Sequence, residues 1–136
     1  MRRPPTDRDI IRGIHKRYYD AFGRFDRSSP EPERSSKIYV PIDCEVIAKE
    51  LEVDPDIVFG RLYYHLNKKY GYEKPDGSKV ELFAFAIGKD RHAVNFPLLS
   101  AVLAELEESW FRFTGPFLLS GFALFASLLA VAFSRA

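Results

Sequence analysis

The feature that most constrains this chain is an uncharged apolar run near its C-terminal end. The run, FTGPFLLSGFALFASLLAVAFS, extends from Phe113 to Ser134. As an α-helix it would be about 33 Å long, close to the roughly 30 Å hydrocarbon core of a bilayer. A small domain could hardly cover a helix that is apolar on all sides. The sequence therefore predicts a transmembrane helix over residues 113–134.

The residues around the run indicate how the helix would be placed in a membrane. Trp110, Phe111 and Phe113 crowd its start, as interfacial aromatic residues do, and Gly115 and Pro116 can separate it from a preceding helix. The alternatives are a buried core helix or a helix exchanged within an oligomer. The polar N-terminal segment lacks the apolar stretch of a signal peptide. We therefore expect a single-pass, tail-anchored membrane protein whose N-terminal domain is cytoplasmic.

Small residues within the run allow close helix packing. Ala123 and Ser127 are four residues apart, as are Ala126 and Ala130. Such spacing lets two membrane helices approach each other, so a homodimer through the tail is a further expectation.

The charge outside the tail is balanced. Of the 20 basic residues only Arg135 follows Phe113, which leaves 19 basic against 19 acidic residues. Nucleic-acid binders usually carry a basic excess, because phosphate contacts supply much of their affinity. The single cysteine, Cys44, cannot form an internal disulfide, and nothing in the sequence indicates an oxidising compartment.

The part before the tail reads as alternating helices and short strands. Residues 1–36 contain a first helix with apolar residues at helical spacing and a polar, Pro-broken linker from Ser28 to Ser36. Residues 37–112 begin with the short strand KIYVP and continue through two helices, extended segments with turns at 75–77 and 88–91, and a last helix. This pattern predicts an α+β fold.

The two central helices have clear boundaries. Asp43 is placed to cap a helix that ends at Leu51, with Cys44 on its apolar face as a small core residue. Asp54 is placed to cap the next helix, with Pro55 at its first position and Gly71 at its end.

Six apolar residues would pack the two helices at a steep angle: Ala48, Leu51, Val53, Val58, Leu62 and Leu66. With the order helix, short turn, helix and β-hairpin, this pattern resembles the winged helix-turn-helix family of transcription regulators. The resemblance implies a winged-helix-type domain with a small antiparallel hairpin sheet, followed by the single transmembrane helix.

The residues that would contact a ligand depart from the family. In the family the opening turn of the second helix offers small polar groups to DNA, whereas this chain has Asp54, Pro55, Asp56 and Ile57. We therefore expect a non-catalytic, membrane-anchored interaction module, or an accessory subunit of a membrane assembly. Its candidate protein-binding residues are Ile57, Phe59 and Tyr63.

A membrane-tethered DNA-binding regulator is the alternative. Its candidate contacts lie further along the second helix and around the PDG turn, where a wing would touch the DNA backbone: Arg61, Tyr64, His65, Lys68, Lys74 and Lys79.

Catalysis has little support in the sequence. His15, His65 and His92 share no ligand spacing, and the acidic group Glu105, Glu107 and Glu108 fits a solvated helix face. No catalytic, metal or cofactor residue is expected, and an enzyme whose site leaves no local motif is the second alternative.

Overall fold

The computed structural model describes residues 3–135. It begins with helix α1, Asp7–Gly23, which is closed at its start by a capping box between Thr6 and Asp9. Ile10, Ile11 and Ile14 are fully buried, as the helical spacing of the sequence predicted.

The polar linker after α1 is held in place by hydrogen bonds from a buried arginine. Arg34 is only 4% exposed. Its guanidinium donates to the backbone carbonyl oxygens of Ala21 at 3.1 Å, Ser36 at 2.8 Å and Lys37 at 3.0 Å. It also lies 4.6 Å from the centre of the Phe25 ring. Arg34 thus supplies donors to the last turn of α1 and to the chain that returns from the linker.

Both predicted helix caps, Asp43 and Asp54, are confirmed. Helix α2, Cys44–Leu51, is capped by Asp43, whose side chain accepts from the backbone N–H of Glu45. Glu52 ends α2 in the left-handed conformation, with φ of 57°. Helix α3, Pro55–Gly60, is capped by Asp54 and has Pro55 in its first turn.

The chain remains helical beyond Gly60, but its hydrogen-bond pattern changes. It passes directly into a π-helical segment, Arg61–Leu66, and then into helix α4, Asn67–Tyr70, which Gly71 ends. We call this continuous run of residues 55–70 the central helix. Val58, Leu62 and Leu66 are fully buried along it.

The strands form two small antiparallel sheets. Strands β1 (Tyr39–Pro41), β4 (Phe83–Ile87) and β5 (Asp90–Asn95) form the larger sheet, in the order β1-β5-β4. Its register pairs Val40 with Val94 and Phe83 with Val94. Strands β2 (Tyr72–Glu73) and β3 (Lys79–Val80) form a separate hairpin closed by the PDG turn. The mixed helix and antiparallel-sheet class is therefore confirmed.

The last helix, α5, has the bounds Phe96–Ser134. The chain divides into two compact units between Leu103 and Ala104, so α5 begins in the first unit. Phe96, Leu99 and Val102 are buried there. Helix α1 and strand β1 belong to this first unit as well.

The second unit contains the apolar run that the sequence predicted to be helical over residues 113–134. Its most apolar stretch of 18 residues has a mean hydropathy of 2.2 and is not buried by any described part of the chain. The helix is long and apolar enough to cross a membrane.

The expected break at Gly115 and Pro116 is not seen, since Pro116 lies inside α5. Pro116 has no backbone N–H, so it cannot donate the helical hydrogen bond to the carbonyl four residues earlier.

Candidate functional site

A cluster of aromatic rings reaches the surface where the central helix meets β4 and β5. It consists of Phe59, Tyr63, Tyr64, Phe85 and His92, and we call it the aromatic surface. Phe59 stacks on Tyr63 with ring centres 5.5 Å apart, Tyr64 meets Tyr63 edge-on at 5.0 Å, and His92 lies 5.3 Å from Phe59 and 5.2 Å from Phe85. Tyr64 is 72% exposed, Phe85 48% and Tyr63 43%.

A buried ring and one amide hold the aromatic surface in place. Phe83 is 1% exposed and meets Phe59 edge-on at 5.7 Å. The Oδ1 atom of Asn67 accepts hydrogen bonds from the backbone N–H groups of Leu82 at 2.9 Å and Phe83 at 3.1 Å. These bonds fix the central helix against the start of β4, so the exposed rings stand on a rigid support.

His92 enters the aromatic surface through an uncommon backbone conformation. Its φ is 54°, in the left-handed region that few residues other than glycine occupy. The carbonyl of His92 accepts a hydrogen bond from the N–H of Ile42 at 2.9 Å, which links β5 to the chain just after β1. Such conformations persist only where the surrounding structure holds them.

One side of the central helix carries basic side chains that pair with Asp7 of α1. Asp7 Oδ1 accepts from Arg61 Nη1 at 2.8 Å, while Oδ2 lies 3.2 Å from His65 Nε2 and 3.7 Å from Lys69 Nζ. Burial raises the pKa of Asp7, but the hydrogen bonds from Arg61 and His65 outweigh it, so the net pKa lies below its usual value. Arg61 and His65 are thus already engaged within the domain.

The remaining basic candidates lie beyond this network. Lys68, Lys74 and Lys79 are exposed, at the end of the central helix and on the β2–β3 hairpin. The hairpin turn is ordered by Asp76, which accepts from the N–H and hydroxyl of Ser78 at 2.9 and 2.6 Å. Lys68 and Lys79 line one shallow groove of about 270 Å³.

The protein-binding candidates from the sequence do not all lie together. Phe59 and Tyr63 are neighbours in the aromatic surface, but Phe59 is already partly covered. Ile57 is 50% exposed, yet two residues along a helix place it on nearly the opposite side from Phe59. Phe85 and His92 were missed as site residues. The alternation in LFAFA put Phe83 and Phe85 on one face, but gave no sign that this face meets the central helix.

The histidines occupy three different environments. His15 stacks on Phe96 at 5.2 Å, His65 pairs with Asp7, and His92 lies among aromatic rings. Among residues 3–135, no three His, Cys, Asp or Glu side chains are grouped so that they could hold a metal ion.

Compared with protein-family models, with curated proteins and with solved structures, the chain matches none of them. The function must therefore be argued from the geometry of the first unit and the composition of the second.

Proposed function

We propose that this protein is a non-catalytic, membrane-anchored module of winged-helix type that binds a protein partner. The observation that carries the proposal is the aromatic surface, in which three well-exposed rings stand on a fixed helix and strand. Tyrosine and other large aromatic side chains dominate the binding energy of protein interfaces, because they bury much area with few rotatable bonds.

The order of elements supports the winged-helix part of the proposal. Strand β1 precedes α2, the central helix follows, and β4 and β5 return to pair in the order β1-β5-β4. The resemblance implies this arrangement, with the β4–β5 hairpin in the position of the wing. The PDG turn, where a wing would touch the DNA backbone, closes the smaller β2–β3 hairpin.

The composition of α5 supports the membrane anchor. Large side chains such as Phe117, Leu119 and Phe122 are each at least 70% exposed. Leaving so many apolar side chains in water is unfavourable by about 25 cal/mol per Å² of apolar surface. A bilayer would remove this penalty for residues 113–134.

The charge around the central helix favours a protein partner over DNA. The capping residue Asp54 and the first-turn residue Asp56 would face phosphates if the helix entered a groove N-terminus first. Arg61 and His65 are already paired with the carboxyl group of Asp7. The exposed rings next to them are suited to an apolar protein surface.

The proposal can be tested with the full chain reconstituted in lipid nanodiscs. Partners are captured by cross-linking from membranes of the source organism, using wild type, Tyr63→Ala and Phe85→Ala. Truncating such anchors costs about 2 kcal/mol or more, roughly a thirtyfold loss of affinity. Tyr72→Ala is the matched control, because Tyr72 is 56% exposed but lies on β2, outside the aromatic surface. Partners retained equally by all four proteins would contradict the proposal.

A membrane-tethered DNA-binding regulator is the second candidate, favoured by exposed Lys68, Lys74 and Lys79. The same nanodiscs are titrated with duplex DNA at two salt concentrations. We expect weak binding without sequence preference that disappears near physiological salt, because few phosphate contacts are available. Tight, sequence-dependent binding that Lys68→Ala and Lys79→Ala abolish would establish the DNA-binding function instead.

A further inference from the structure

A groove of about 490 Å³ opens at one end of the aromatic surface, between the starts of α2 and α3 and strand β5. Phe59 and His92 line it and belong to the aromatic surface as well, while Ile42 and Cys44 add apolar lining. The groove is therefore continuous with the surface on which the proposed function rests.

The charged lining of this groove is mostly negative. Asp43, Glu45 and Asp56 contribute three carboxylates, against the single guanidinium of Arg91. All three carboxylate residues are exposed. Aromatic rings and neighbouring carboxylates both attract a cation, the rings through their quadrupole and the carboxylates through direct charge attraction.

The protein already contains a contact of this kind next to the groove, made by a residue that lines it. The guanidinium carbon of Arg91 lies 5.6 Å from the centre of the Phe85 ring, within the usual range for a cation over an aromatic face. The aromatic surface therefore accommodates a basic side chain in its own structure, and Arg91 is drawn toward Phe85.

We propose that the protein partner of the aromatic surface inserts a lysine or arginine side chain into this groove. The cation lies beside Phe59 and His92 and faces Glu45 and Asp56, while neighbouring apolar residues of the partner cover Tyr63 and Phe85. The inference rests on the proposed function and adds the chemistry of the partner: an apolar segment that carries a basic residue at one end.

The first test selects ligands without knowing the natural one. A phage-displayed library of random peptides is selected on the full chain in nanodiscs, after removal of phage that bind empty nanodiscs. We expect sequences with Lys or Arg next to aromatic or aliphatic residues, selected by wild type but not by Tyr63→Ala with Phe85→Ala. Selected peptides without basic enrichment would overturn the inference and leave the proposed function standing. Peptides that bind wild type and the Tyr63→Ala with Phe85→Ala variant equally would count against both.

The second test asks whether the carboxylates of the groove bind the basic residue of the peptide. One selected peptide and its Lys→Gln (or Arg→Gln) version are titrated against wild type and against Glu45→Gln with Asp56→Asn. A double-mutant cycle should give a coupling of about tenfold at low salt that shrinks as salt rises. Glu31→Gln with Glu33→Gln is the control, because it removes the same charge from the exposed linker. Coupling of equal size in the control would overturn the inference, and circular dichroism spectra confirm that each variant is folded.

Discussion

Arg61 donates a hydrogen bond from Nη1 to Oδ1 of Asp7 over 2.8 Å, although 54 residues separate them in the chain. The contact joins the first turn of α1 to the π-helical segment of the central helix. His65 and Lys69 share the same carboxyl group through Oδ2. One acidic residue of α1 thus pairs with three basic side chains of the central helix.

Asp7→Asn should destabilise the first unit by about 1–2 kcal/mol at pH 7, because Arg61 loses its charged acceptor. The pKa of Asp7 is lowered in the folded state from the usual 3.8, so its contribution is complete above that value and is lost as pH falls through the lower folded pKa. Urea unfolding of the full chain in detergent micelles at pH 7, 5 and 3 should show a difference from wild type that is largest at pH 7 and smaller at pH 3.

Asp20→Asn is the matched control for this prediction, since Asp20 is an exposed carboxylate on the same helix. It should change stability by less than about 0.5 kcal/mol at each pH. If both variants follow wild type equally at every pH, the Asp7 network contributes no stability.

Arg34→Ala should cost about 2–4 kcal/mol, because several carbonyl oxygens lose a charged donor in a buried site. Arg34→Lys should recover less than half of this loss, since an ammonium group lacks the planar fork of donors. Urea unfolding measures both, with the exposed Arg27→Ala as control. Full rescue by lysine would mean that charge alone, and not the fork, is required.

Cys44 should be almost unreactive in the folded protein. Burial raises the pKa of its thiol to about 11, with a smaller contribution from Asp43. Because the thiolate is the reactive form, alkylation by iodoacetamide at pH 8 should be about a hundredfold slower in the native chain than in the urea-unfolded chain. Mass spectrometry follows the modified fraction with time. Equal rates in the two states would show that the thiol is accessible.

The apolar tail should make the full chain partition with membranes and resist alkaline or high-salt extraction. A chain ended after Glu108 should instead remain in the soluble fraction, because residues 113–134 are removed. Leu124→Arg, near the middle of the run, should weaken insertion by about 2.5–3.5 kcal/mol, whereas Leu124→Ala should retain it. Recovery of the full chain without detergent in the soluble fraction would rule out the anchor.

Local features of the fold could be predicted from the sequence. Asp43 and Asp54 cap the residues that directly follow them, and the apolar run 113–134 needs no partner to be recognised. These features depend on interactions between residues that are close together in the chain, so the sequence pattern alone predicts them.

Contacts between distant segments could not be predicted in this way. A carboxylate at position 7 looks like an ordinary first-turn residue of a helix, and its pairing with Arg61 depends on how α1 packs on the central helix. Arg34 looked like part of a solvated linker, because the carbonyl oxygens that it binds become available only after α1 ends beside it. Phe85 joined the aromatic surface only once β4 was placed against the central helix.

The π-helical segment has a geometric consequence for the central helix. Four residues exceed one turn of an α-helix, which has 3.6 residues, but fall short of one turn where hydrogen bonds join residues five apart. Within Arg61–Leu66 the helix is therefore wound more slowly, which offsets part of the drift of residues spaced four apart. Val58, Leu62 and Leu66 are all fully buried, and Asn67 after them accepts hydrogen bonds from the N–H groups of Leu82 and Phe83. Deleting one residue between 61 and 66 would rotate Asn67 and the lysines after it away from their present neighbours.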